Sequence, residues 1–152
     1  MIYAARIVVE SSRIARRHVA VGFAGLALFV LVGLGLEAAH ALKAPGYLDA
    51  DHTTRRLLLR LGHAHGGLVS MVHILYGLAA HRWPAIATPL TSLCYWIALL
   101  LVPGGFLLGA IGATASDPGI FVLLVPPGAF AFMFGLGLTA KRLWADLPDE
   151  DS

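Results

Sequence analysis

Glu37 and His40 stand three residues apart, His63 and His65 two apart, and His73 eight further on. All lie inside, or at the mouths of, stretches otherwise apolar enough to cross a lipid bilayer. Ionisable groups are costly in lipid, ~2.5–3.5 kcal/mol for Asp, Lys or Arg at mid-helix on insertion scales, so each one reads as a functional hypothesis. Glu37 and His40 form a Glu-x-x-His pair that projects both side chains from one helix face. Di-iron four-helix bundles use two such motifs plus a carboxylate from each remaining helix. This chain has one motif, and its last two apolar stretches carry no carboxylate. That argues against a di-iron site within one chain.

Imidazole also ligates single zinc, copper or iron ions and serves as an axial haem ligand. On this reading His40, His63 and His65 are candidate cofactor-binding residues, and His40, His65 and Glu37 the candidate metal set. A redox metal, a haem or a quinone-like ligand are the candidate occupants. His63 and His65 diverge by about 200° on a helix, so only one of them joins Glu37 and His40. His73 is ~12 Å along the helix from His65, too far to share one ion. It is expected to act separately, with Tyr76 one turn on, so Glu37, His73 and Tyr76 are the candidate proton-handling residues. Gly66 directly follows His65 and would leave room for a flat ligand beside it. The plainer readings are interfacial histidines solvated by head groups, a His73 that hydrogen-bonds across helices, and a Glu37 that snorkels or pairs with Arg60 or Lys43.

Composition decides the class. The 152 residues are 58% hydrophobic and 13% charged, against about 25% charged in soluble domains. Mean hydropathy is +0.77. Lipid must cover much of such a surface. A formal charge of +2, with its basic residues beside apolar spans, does not suggest nucleic acid. The lone Cys94 excludes an intramolecular disulfide and a thiolate cluster; it reads as a small packing residue.

Four stretches approach the ~20 residues that a membrane helix needs: Val19–His40, Leu61–His81, Leu90–Ala113 and Gly119–Ala140. The expected fold is therefore all-α, one integral membrane domain built as a bundle of four transmembrane helices. Residues 1–17 are expected to form an amphipathic interfacial helix before the chain turns inward, because Arg6, Glu10, Arg13 and Arg17 share one helical face. Ala39-His40-Ala41 also looks like a signal cleavage site, but the apolar run exceeds the usual ~7–15 residues. Residues 41–60 read as a long external loop and 145–152 as an acidic tail. Pro89 suits a first helical turn, and Asp117-Pro118-Gly119 a tight turn. Pro103 and Pro126-Pro127 are expected to kink their spans. Gly105 and Gly109 form a GxxxG for close packing, and Gly62, Gly66 and Gly77 give the second helix a thin face.

Arg6, Arg13, Arg16, Arg17, Arg82, Lys141 and Arg142 fall on one side; Lys43, Arg55, Arg56 and Arg60 fall on the other. That balance of seven against four puts both termini in the cytoplasm, in a bacterial inner membrane. The arginines before the second helix could bind lipid phosphates or a partner.

The stretch Leu61-Gly-His-Ala-His65-Gly-Gly-Leu68 resembles the start of the second helix in small four-helix membrane proteins related to hydroxylaminobenzene mutase. The likeness covers about one helix. The Asn-Gly expected after it is replaced by Ser70-Met71-Val72-His73. It implies an intramembrane isomerase as a minor alternative. The other reading is a non-catalytic accessory or assembly subunit whose partners are the bilayer and a membrane subunit or a second copy of the chain. No GxSxG, Walker A, HExxH or CxxC motif is present, so the residues leave open whether the protein is an enzyme.

Overall fold

The computed structural model describes residues 2–145; the acidic tail beyond Ala145 lies outside them. The described residues are helical, without strands. The long helices are α1 (Ile2–Ala41), α3 (Thr53–Arg82), α4 (Pro89–Ile111) and α5 (Val125–Ala145). A short α2 (Pro45–Leu48) and 3-10 turns at Ala50–His52, Pro84–Ile86 and Ile120–Leu124 join them. Among the described residues, three segments are long and apolar enough to cross a membrane: Val9–Ala41, Pro89–Ile111 and Ile120–Ala145.

The helices pack as an antiparallel row in which α1 lies against α3, α3 against α4 and α4 against α5. α3 therefore has neighbours on both sides, while α1 and α5 flank the row. Their outward faces are apolar: Phe23, Leu31 and Leu34 on α1, and Phe130, Met133 and Phe134 on α5, are all more than half exposed. Contiguous apolar surface of this kind is a contact surface, here suited to lipid.

Small residues set the spacing. On α1 the inward positions Ser11, Ala15, His18, Gly22, Gly25 and Phe29 recur at alternating three- and four-residue steps, the spacing of a helix seam. A Cβ on Gly22 would meet the Ser70 carbonyl and Ile74, and one on Gly77 would meet the Ala15 carbonyl and Val19. Without side chains there, the two backbones approach closely. The expected GxxxG works within the chain, Gly105 against Val125 and Gly109 against Val122. Pro89 occupies the first turn of α4 behind the N-cap Thr88, whose hydroxyl accepts the Thr91 N–H at 3.3 Å.

Several boundaries differ from expectation. α1 is unbroken from Ile2 to Ala41, so no turn separates an N-terminal helix from the first span; neither glycine nor proline lies between Ile2 and Val21 to break it. At 1.5 Å per residue such a helix is ~60 Å long, about twice the hydrocarbon thickness. α3 starts at Thr53 rather than Leu61, which puts Arg55, Arg56 and Arg60 on a helix and not in a loop. The guanidinium of Arg56 donates to the carbonyls of Tyr47 (2.7 Å) and Asp49 (2.8 Å), closing the shortened connection. Pro126 and Pro127 sit in the first turn of α5 rather than in mid-span, where a missing N–H breaks no helical bond. α4 continues through Pro103.

The close α1–α3 approach gives a direct test. Gly22→Val should destabilise the protein by about 1–3 kcal/mol, the range for overpacking a tight contact. Gly35→Ala, which meets nothing within 4 Å, should be neutral or stabilising by up to about 1 kcal/mol. Thermal unfolding in mild detergent reads both.

Candidate functional site

Two polar groupings stand at opposite ends of the α1–α3 seam. The first lies where α1 ends and α3 begins. Val30, Gly33, Leu34, Leu36 and Glu37 of α1, Tyr47, and Arg60 and His63 of α3 line a cleft of about 260 Å³. Its lining is aliphatic along α1 and includes a carboxylate, a guanidinium, an imidazole and a buried tyrosine. Gly33 shapes it: a Cβ there would fall on the His63 ring. The residue four positions on normally shields a helical carbonyl. With glycine in that place, His63 Nδ1–H reaches the Phe29 carbonyl at 2.7 Å. A neutral His63 held this way carries its lone pair on Nε2, leaving that atom to accept a hydrogen bond.

His65 points elsewhere. Its Nδ1–H donates to the Leu61 carbonyl at 2.9 Å, and its ring lies 5.0 Å from that of Phe106 on α4. The 200° divergence expected from the spacing thus resolves in favour of His63 as the companion of Glu37. The proposed set His40, His65 and Glu37 is not assembled, because His65 faces α4 while Glu37 lies on α1. His40 is exposed beside Tyr47, ring centroids 6.4 Å apart. Among the described residues no three His, Cys, Asp or Glu side chains come together to hold a metal ion. The space expected beside Gly66 for a flat ligand is filled by the Phe29 ring. Of the imidazoles expected to bind a haem or a metal, His63 alone lines this cleft, and its Nδ1 is taken by the Phe29 carbonyl.

The second grouping is inside the row, ten residues or ~15 Å further along α3. His18 of α1 and His73 of α3 are both wholly buried, with Nδ1 facing Nδ1 at 3.1 Å. His73 Nε2 lies 3.0 Å from the Tyr95 carbonyl and His18 Nε2 lies 2.8 Å from the Ser92 hydroxyl. A carbonyl only accepts, so His73 carries its proton on Nε2 and, when neutral, presents a bare Nδ1. His18 must then donate from Nδ1, and its Nε2 accepts from Ser92. Bond geometry alone assigns both tautomers. Tyr76 packs edge-on to His18, centroids 4.7 Å apart, while its hydroxyl donates to the Ile86 carbonyl at 3.2 Å. The Tyr95 hydroxyl meets Thr139 of α5 at 2.9 Å, and Thr139 donates to the Gly135 carbonyl. Every long helix is tied in at this level.

Of the candidate proton-handling residues, Glu37 lines the cleft, while His73 and Tyr76 lie apart from it, as the spacing along the helix predicts. They belong to the inner network, and Phe29 seated on Gly66 lies between it and the cleft. His18 was not among the expected residues, because it falls between the arginine-bearing N-terminal segment and the start of the first apolar run. Its signal was the seam itself: it stands in register with Ser11, Ala15, Gly22, Gly25 and Phe29.

No protein-family model, curated protein or solved structure matches the chain.

A double-mutant cycle checks the inner network. His18→Leu and His73→Leu should each cost about 1–3 kcal/mol by orphaning a buried partner. The double variant should cost less than their sum, with a coupling of about 0.5–3 kcal/mol. Strict additivity in unfolding measurements would contradict a direct bond.

Proposed function

We propose that the chain is an integral membrane protein with four crossing helices that binds a small quinone-like ligand in the cleft between α1 and α3. The observation that carries the reading is the composition of that cleft: Val30, Leu34 and Leu36 together with Glu37, Arg60, Tyr47 and a His63 whose Nε2 is left as an acceptor by the Phe29 contact. Such a ligand is itself an apolar ring with oxygens at its edge. In this reading a hydroxyl of the reduced form donates to His63 Nε2, Arg60 donates to the opposite oxygen, and Glu37 stands by as a proton acceptor. The isoprenoid-like tail leaves across Val30 and Leu34 toward lipid.

The crossing count rests on packing. α3 is less apolar than the three candidate spans, yet at ~45 Å it lies antiparallel between α1 and α4, so it crosses with them. His63 and His73, with Gly66 and Gly77, meet α1, while His65 and Gly62 meet α4, and protein-facing positions are where intramembrane polar groups belong. The Lys and Arg bias supports cytoplasmic termini in a bacterial inner membrane. On that orientation the N-terminal turns of α1, with exposed Arg13, Arg16 and Arg17, extend to the cytoplasmic interface, and the cleft opens at the external end.

A second reading is an accessory subunit joined to a larger membrane partner or to its own copy. The complete internal satisfaction of His18 and His73 favours it, since histidines so engaged bind helices together.

Titration calorimetry in nanodiscs with a short-chain quinol analogue separates the two. Glu37→Gln, Arg60→Gln and His63→Ala should each weaken binding by about tenfold, ~1.4 kcal/mol, while His65→Ala leaves it unchanged. Absence of binding to the unaltered protein would sink the ligand reading and leave the accessory one.

A further inference from the structure

At the opposite end of the α1–α3 seam from the cleft lies a groove of about 290 Å³ on the outward face of the pair. Its floor is Val19 and Ala20 of α1 with Gly77 and Leu78 of α3; its rim is Arg16 from one helix and His81 from the other. Both rim residues are exposed, as are Ala20 and Leu78. Gly77 is buried beneath the groove, where a Cβ would meet the Ala15 carbonyl and Val19, so the two helices that form its walls stand close together. One helical turn, ~6 Å, separates Arg16 from Ala20, so polarity changes along the groove as it does across a membrane edge. Cationic and hydrogen-donating groups stand at the interface and bare aliphatic surface at acyl-chain depth. Arg13 and Arg82 lie exposed nearby, and Trp83 follows on the same side, where interfacial aromatics sit.

We infer that this groove is a binding site for an anionic phospholipid, its phosphate held between Arg16 and His81 and one acyl chain laid along Ala20 and Leu78. Arg16 supplies a forked cationic donor suited to phosphate, and His81 adds a ring N–H from the other side. The aliphatic floor matches an acyl chain and no water-soluble anion. The site rests on the membrane-embedded reading of the chain and is independent of the ligand in the distant cleft.

The test is native mass spectrometry of protein incubated with equimolar phosphatidylglycerol and phosphatidylcholine of identical acyl chains. Phosphatidylglycerol should be retained about fivefold or more over phosphatidylcholine, the scale of one charge beside an anionic head group. The preference should vanish in Arg16→Gln/His81→Gln, whose altered side chains are exposed and leave the packing intact. It should persist in Arg55→Gln at the other end of α3. Equal retention of the two lipids, an undiminished preference in the double variant, or displacement of the lipid by inorganic phosphate alone would overturn the assignment. Alkaline carbonate extraction distinguishes the underlying failure: release from membranes would overturn the embedded reading and this site together, whereas retention with no lipid preference would overturn the site alone.

Discussion

The hydrogen bond between His18 and His73 is the constraint around which the long helices are arranged. It joins α1 to α3, and each ring passes the connection on, His18 to Ser92 and His73 to the Tyr95 carbonyl, both on α4. Tyr95 continues it to Thr139 on α5. A row of helices, unlike a closed bundle, leaves its outer members with one neighbour each, so a polar tie through the middle fixes what apolar contact with lipid-like surroundings does not. Two buried imidazoles without partners would be strongly unfavourable. Paired as they are, they accept one register of α1 against α3 and penalise the others.

That tie requires the backbones to come close. Gly22 and Gly77 remove the side chains that would hold α1 and α3 apart, and Gly33 does the same at the far end, where His63 reaches the Phe29 carbonyl. One seam thus serves two purposes. At its inner end the histidines spend both ring nitrogens on the protein. At its outer end one nitrogen of His63 is engaged and the other is left, next to Glu37 and Arg60. The two kinds of histidine differ in how many ring nitrogens the fold has already used, both in His18 and His73 and one in His63.

Much of this was legible in the residues. Apolar runs located α1, α4 and α5, Pro89 marked a helix start, and the two-residue spacing showed that His63 and His65 must face different neighbours. Glu37 and His63 were among the expected residues and do line one cleft. Other features depended on tertiary partners that a single strand of sequence does not reveal. His18 looked like the edge of a basic segment, and only its pairing with His73 gives it meaning. The arginines at 55, 56 and 60 suggested a loop, yet Arg56 finds the carbonyls of Tyr47 and Asp49, and the helix extends back to Thr53. Gly66 could have opened space for a ligand, but Phe29 from the facing helix fills it. The residues of the metal set do not come together, for the reason the face argument gives: the His65 ring on α3 turns toward Phe106 of α4, away from Glu37.

The central claim is that the inner histidines are committed to the fold while His63 is available to a ligand. Side-chain ¹⁵N NMR of histidine-labelled protein, with and without a quinol analogue, tests it most directly. The account predicts His18 protonated on Nδ1 and His73 on Nε2, both unchanged by the analogue, with the His63 Nε2 resonance shifting on its addition. The opposite tautomers, a response of the inner pair, or an unmoved His63 would contradict it.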